Sequence, residues 1–156
     1  MLKPRKIKTF LWFDGQAEDA AKFYAAIFKD GKVGKVARYP EGSPGPAGKV
    51  MTVEFKLDGH EFVGLNGGPQ FKFNESVSFA IECDTQEEID YYWDKLLAGG
   101  GKPRQCGWLK DKFGVSWQVV PSGLDQLFTG KNATAAMQAM LQMVKFDIRK
   151  LKEAAK

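Results

Sequence analysis

The chain has 156 residues and a mass of 17.4 kDa, enough for one ordinary domain or two small fused modules. A chain of this length buries roughly 70% of its unfolded surface and needs no disulfide or metal staple. Hydrophobic residues at 44% and charged residues at 27% exclude wholesale disorder. No apolar run approaches the roughly 20 residues needed to span a bilayer.

The net charge of +4 is unevenly spread. Residues 1–8 carry Lys3, Arg5, Lys6 and Lys8, and residues 123–156 carry six Lys or Arg against three Asp or Glu. The body between them is mildly acidic. A nucleic-acid surface needs a basic stripe on the folded body, so no nucleic-acid partner is expected. The opening Met1–Lys6 segment is charged but has no apolar stretch behind it, which predicts no secretory signal and a cytoplasmic location. Asn132-Ala133-Thr134 matches a glycosylation acceptor, a pattern without meaning in that compartment.

In chain order, Ile7 to Phe13 reads as a buried strand closed by Asp14-Gly15. Residues 16–28 read as a helix, with Ala17, Ala20, Ala21, Tyr24, Ile27 and Phe28 on one face and Gly31 ending it. Val33 to Tyr39 is a second strand. Residues 40–48, rich in Pro and Gly, form a loop. Val50, Val53, Phe55 and Leu57 mark a third strand, and Asp58-Gly59 turns the chain into a fourth, Glu61 to Asn66. A second series begins with a strand at Val77 to Cys83. Thr85 and Glu88 have capping-box spacing before a helix striped by Ile89, Tyr92, Trp93, Leu96 and Leu97. Short strands follow near 103–105 and 106–110. Asp111 to Gly114 is a turn, and Val115 to Val120 is the last strand.

The two series share one plan, strand, helix and then three strands, at a constant offset of 69 that pairs Phe23-Tyr24 with Tyr92-Trp93 and Thr9 with Ser78. Two βαβββ modules, 1–74 and 75–121, are therefore expected to curve around one cleft, with a helical tail over 122–156. In the tail, Met137, Met140, Leu141, Val144, Ile148 and Leu151 form a stripe on one helix of about six turns. The stripe suits packing on its own subunit or on a partner copy. Asp147 and Glu153 interrupt the basic face, which argues against a membrane surface.

Chemistry-bearing residues are sparse. Cys83 and Cys106 form no Cys-x-x-Cys pair and read as reduced, mostly buried thiols. The single histidine, His60, sits at the Asp58-Gly59 turn and reads as solvated. Cys106 as a nucleophile would need a base, and Glu54 is a candidate base on a strand whose polar face is more simply solvated. Phe10, Trp12, Phe13, Trp108 and Trp117 crowd the strands that would form a cleft.

The segments 13–24 (FDGQAEDAAKFY), 66–73 (NGGPQFKF), 92–96 (YWDKL) and 106–121 (CGWLKDKFGVSWQVVP) resemble the vicinal oxygen chelate superfamily, which includes glyoxalase I, bleomycin-resistance proteins and extradiol dioxygenases. The similarity is greatest to its PhnB-like branch, labelled 3-demethylubiquinone-9 3-methyltransferase, and the tail from Met140 also fits. The resemblance implies an α+β, glyoxalase-like fold: two βαβββ modules in a cupped mixed sheet, plus a C-terminal helix. It also implies a small-molecule ligand or substrate and a homodimer.

The superfamily's metal enzymes place His or Glu on the first and last strands of each module, where the metal chelates neighbouring substrate oxygens. Carried over residue by residue, those positions hold Thr9, Asn66, Ser78 and Gln118. None supplies an imidazole or carboxylate. The resemblance therefore implies no tightly bound metal and no other cofactor. The four side chains suit hydrogen bonding to a neutral or oxygen-rich ligand, with Trp108 as an apolar wall. The methyltransferase label has no matching signal: no Gly-x-Gly-x-x-Gly follows a strand, and Gly99-Gly100-Gly101 follows a helix. The expected function is thus small-molecule binding in a cleft. A metal-independent isomerase, lyase or ring-modifying enzyme, or the labelled methyl transfer, stands as the alternative.

Overall fold

Strand alternation lays down the first sheet. In β3 (Val50–Leu57), Val53, Phe55 and Leu57 are buried while Glu54 and Lys56 between them are exposed, the period of a sheet with one covered face. It returns as β4 (His60–Asn66) through Asp58 and Gly59, whose φ values of 48° and 73° make the left-handed pair that a tight hairpin requires. β1 (Thr9–Phe13) runs parallel to β4, and β2 (Lys32–Arg38) runs antiparallel to β3, giving the order β1-β4-β3-β2. The parallel β1/β4 pair requires a crossover, and α1 (Ala17–Ile27) lies in it.

The inward face of α1 is Ala17, Ala20, Ala21, Tyr24 and Ile27. Its small residues bring the helix close to the sheet: a Cβ on Gly64 would lie 3.1 Å from the Ala17 methyl. Tyr24 stacks on Phe55 with ring centroids 5.9 Å apart. Each of these two buried rings contributes roughly 1.5–3 kcal/mol.

The second sheet repeats the plan with shorter strands: β5 (Ser78–Cys83), β6 (Lys102–Pro103), β7 (Trp108–Lys110) and β8 (Ser116–Pro121), ordered β5-β8-β7-β6 with β5 parallel to β8. The expected strand at 106–110 begins at Trp108 instead. Cys106 and Gly107, at φ 58° and 76°, turn left-handed and cannot pair as a strand. The helix α2 (Gln86–Leu97) begins at Thr85, whose Oγ1 accepts the Glu88 N–H at 3.2 Å. Glu88 reaches back one residue further than a capping box, accepting from the Asp84 N–H at 3.0 Å.

The tail departs from expectation. The single long helix is two, α3 (Ala133–Leu141) and α4 (Ile148–Ala154), after a 3₁₀ turn at Leu124–Phe128. The break satisfies groups that a continuous helix would leave unpaired. Met143 and Val144 turn their carbonyls to the N–H groups of Cys106 and Gly107 at 2.9 and 2.8 Å. Phe146 is buried against Gly107, where any Cβ would approach its ring to 2.5 Å. Asp147 then caps α4 by accepting from the Lys150 N–H at 3.0 Å. Ala136 and Leu151 of the expected tail are buried, while Met137, Leu141 and Val144 remain exposed.

The architecture is therefore α+β and glyoxalase-like, with two mixed four-stranded sheets and a helical C-terminus. The computed structural model describes residues 6–156, so Met1–Arg5 of the basic opening segment lie outside the described residues. The chain divides into two compact units, one ending at Lys72 and the other spanning Phe73–Lys156. No helix among the described residues is long and apolar enough to cross a membrane.

Candidate functional site

Register decides which side chains each sheet presents. In the first unit, Thr9, Leu11 and Phe13 stand opposite Phe62, Gly64 and Asn66, and Gly64 faces α1. Thr9 and Asn66 thus lie on the face that α1 covers. The opposite face carries Phe10 and Trp12 of β1, Glu61, Val63 and Leu65 of β4, and Glu54 and Lys56 of β3.

Both of the expected first-unit residues are engaged locally. Thr9 Oγ1 lies 2.9 Å from His60 Nε2. Asn66 accepts the Ala17 N–H through Oδ1 at 2.9 Å and donates through Nδ2 to the Val50 carbonyl at 3.1 Å. Its own carbonyl accepts the Tyr39 hydroxyl. Asn66 therefore ties together β4, β3 and the first turn of α1.

The one-residue difference from the expected facing has a local cause. Four positions separate Phe13, the end of β1, from Ala17, but only three separate Cys83, the end of β5, from Gln86. The offset of 69 holds for the helices, whereas the strands correspond at 70. Lys8, not Thr9, corresponds to Ser78, and Phe10 to Ala80. The extra residue falls in the Asp14-Gly15-Gln16 turn, where Gly15 has φ 81°.

In the second unit the expected residues do come together. Leu109, Trp117, Val119 and Cys83 are buried on the face that packs against α2. The other face presents Ser78 beside Ser116, and Gln118 between Ala80 and Trp108. Gln118 Nε2 donates to Ser78 Oγ at 2.9 Å. That bond leaves the Ser78 O–H free to donate and the Gln118 carbonyl oxygen free to accept. Ser78, Trp108 and Gln118 are all half-buried. One row along, Lys110 reaches Glu75 at 2.6 Å, and this contact holds the Glu75 carboxyl below its ordinary range. Ser116 Oγ is buried with no hydrogen-bond partner among the described residues.

The remaining candidates separate. Cys83 is fully buried, and burial, with Glu88 and Asp84 nearby, pushes its thiol up to about 12. Cys106 Sγ points to the Met140 carbonyl at 3.7 Å. Trp117 is a core residue whose Nε1–H donates to Asp111 Oδ2 at 2.9 Å. Phe13 is also core, whereas Phe10 is 61% exposed and Trp12 donates to the Gly68 carbonyl at 2.9 Å with Phe71 edge-on to its ring. Sequence reasoning missed the face of Phe10 and Trp12. The run Phe10-Leu11-Trp12-Phe13 is apolar throughout, so no alternation in the sequence marks which face each residue takes.

The family model for 3-demethylubiquinone-9 3-methyltransferase matches residues 5–120. Among solved structures, the PhnB protein from Bacillus cereus is 37% identical, with 76% of this chain and 100% of that chain covered and a TM-score of 0.68. Protein PA1353 from Pseudomonas aeruginosa, at 21% identity, covers 76% of this chain and 98% of its own with a TM-score of 0.60. The fosfomycin resistance protein FosX from Mesorhizobium loti, at 11% identity, covers 81% and 97% with a TM-score of 0.58 and is alike in fold alone. A comparison with curated proteins gives no match.

Proposed function

This chain belongs to the 3-demethylubiquinone-9 3-methyltransferase family, within the vicinal oxygen chelate superfamily, and from that premise we propose that it binds a small oxygen-rich molecule without a tightly held metal. The observation that carries the reading is the Gln118–Ser78 hydrogen bond beside Trp108 on the face of β5, β8 and β7 opposite α2. The pair offers one donor and one acceptor at fixed separation, and the indole supplies an apolar wall. A few placed polar groups on an apolar surface is the usual form of a small-molecule site.

The residues on this face do not fit the superfamily's metal. Ser78 and Gln118 are neutral and hold each other, and neutral hydroxyl and amide oxygens alone bind a divalent transition metal weakly. Thr9 and Asn66 face α1 and are occupied by His60, Ala17 and Val50. No step is derived through a metal. Methyl transfer from S-adenosylmethionine finds no support in the glycines, since Gly99-Gly100-Gly101 closes α2 and precedes the edge strand β6.

Purified protein examined by native mass spectrometry is expected to carry a small organic molecule, lost in Gln118→Ala and Trp108→Ala. Elemental analysis without added metal is expected to find far less than one metal per chain. One metal per chain, or micromolar binding of S-adenosylmethionine by calorimetry, overturns the reading. We further read the chain as a cytoplasmic homodimer, supported by the free thiols of Cys83 and Cys106 and by the exposed Met137, Leu141 and Val144. A monomer by light scattering at micromolar concentration counts against the dimer.

A further inference from the structure

The segment between α3 and α4 lies across the start of β7, the strand that carries Trp108. Cys106 and Gly107 present two consecutive N–H groups, and the consecutive carbonyls of Met143 and Val144 accept them at 2.9 and 2.8 Å. Both residues are left-handed, at φ 58° and 76°. For Cys106 that conformation is strained and persists only where neighbouring bonds hold it. The segment supplies those bonds. Phe146 fills the space beside Gly107, where a Cβ would come within 2.5 Å of its ring. Gln86 grips the segment from α2 on both sides of Asp147, donating to the Phe146 carbonyl and accepting the Ile148 N–H, each at 2.9 Å.

Gly107 joins this segment to the sheet. Its N–H goes to Val144, and its carbonyl accepts the Val119 N–H of β8 at 2.8 Å. Trp108 follows and opens a strand of three residues. Its N–H donates to the Gln105 carbonyl at 3.2 Å and its carbonyl accepts the Arg104 N–H at 2.8 Å, which ties both backbone groups to the loop before it. Ser78 and Gln118 are held differently. They lie on β5 and β8, six-residue strands in register along their whole length. The indole is thus the part of the site whose place follows the loop, and the loop is held by the segment.

We propose that 143–148 is a strap that positions Trp108 on the Ser78–Gln118 face, with Phe146 as the positioning residue. Docked, the strap keeps Cys106 and Gly107 left-handed and the indole beside Gln118. Released, those two residues relax and the indole moves off, while Ser78 and Gln118 stay bonded to each other. The strap acts from the α2 side of the sheet, through Gly107 and not by touching a ligand. The tail thereby regulates the site, an inference that rests on the reading of Trp108 as its apolar wall.

The test is fluorine NMR of the full chain labelled with fluorotryptophan, with the Trp108 line assigned from Trp108→Phe and Trp12 as reference. Phe146→Ala and Gln86→Ala are each expected to shift or broaden the Trp108 line and to leave Trp12 in place. Phe146→Leu keeps a buried apolar side chain and is expected to return the Trp108 line towards its native position. Amide exchange at Cys106 and Gly107 is expected to rise about tenfold or more in Gln86→Ala, while the amides of β5 and β8 keep their native exchange. Gln86 is half-buried at the first position of α2, so its truncation keeps the test open where Phe146→Ala fails to fold. An unmoved Trp108 line in Gln86→Ala overturns the proposal. So does faster exchange throughout β5 and β8, which marks general loosening. These readouts need no ligand: an empty face by native mass spectrometry sinks the binding reading, and a fixed indole sinks the strap, so the two failures are told apart.

Discussion

Asn66 accepts the backbone N–H of Ala17 through its carboxamide oxygen at 2.9 Å, fixing the last strand of the first sheet to the first turn of α1. Gln16, at the cap position itself, makes no side-chain cap bond. The capping acceptor comes from 49 residues away along the chain, and the same side chain donates to Val50. A residue that resemblance casts as a ligand-binding group thus has a structural role in its own unit.

Asn66→Ala removes both bonds and leaves an N–H at the helix start without its acceptor. The expected loss is about 1–3 kcal/mol, read as a lower urea midpoint with an unchanged slope. Asn66→Asp keeps an acceptor where the helix dipole favours negative charge, so it is expected to lose less.

Asp111 and Ser116 predict opposite outcomes for the same substitution. Asp111 is 3% exposed and accepts from Phe113 N at 2.8 Å, Val115 N at 3.1 Å and Trp117 Nε1 at 2.9 Å. Asp111→Ala strands those donors and is expected to cost about 3 kcal/mol or more. Ser116→Ala removes a buried hydroxyl with no partner among the described residues, and is expected to be neutral or stabilising by about 1 kcal/mol. Thermal unfolding of both variants checks the pair.

The tail is fastened by Gln86. Its Nε2 donates to the Phe146 carbonyl at 2.9 Å and to Asp90 at 3.1 Å, while its Oε1 accepts the Ile148 N–H at 2.9 Å. Gln86→Ala is expected to raise amide exchange across 143–150 about tenfold or more while both sheets stay protected. Lys145 meets Asp90 at 2.7 Å, and this bond, with that from Gln86, lowers the Asp90 carboxyl from 3.8. A lowered carboxyl stabilises the fold above its unfolded value and ceases to do so as pH falls through its folded value. Tail protection is therefore expected to hold at neutral pH and to weaken below about pH 4, a change absent from Asp90→Asn.

Cys83 predicts a difference in thiol chemistry. With its thiol pushed up from 9.0 to about 12, it remains protonated at pH 8 and is sealed in the core. Ellman's reagent is expected to leave Cys83 unmodified in native protein and to reach it in urea. The raised thiol favours the folded state below pH 9, and that contribution declines as pH rises from 9 towards 12. Cys83→Ala removes this part of the alkaline loss.

The alternation of Val53, Phe55 and Leu57, the Asp58-Gly59 turn, the Thr85 cap and the stripe on α1 were all legible in the sequence, because each depends on residues a few positions apart. The repeat and the family were legible for the same reason, since 13–24 and 106–121 are contiguous signals. The periodicity of the tail was legible too, but not its break, which Phe146 makes by burying against Gly107 some 40 residues earlier.

The facing of Thr9 was decided only in three dimensions. A strand's face reverses with a single residue, so one extra position in the Asp14–Gln16 turn turns Thr9 toward α1 and leaves Phe10 outside. Local sequence sets the period of each element. Which side of that period meets solvent depends on how the strands pair, and pairing is a property of the folded chain.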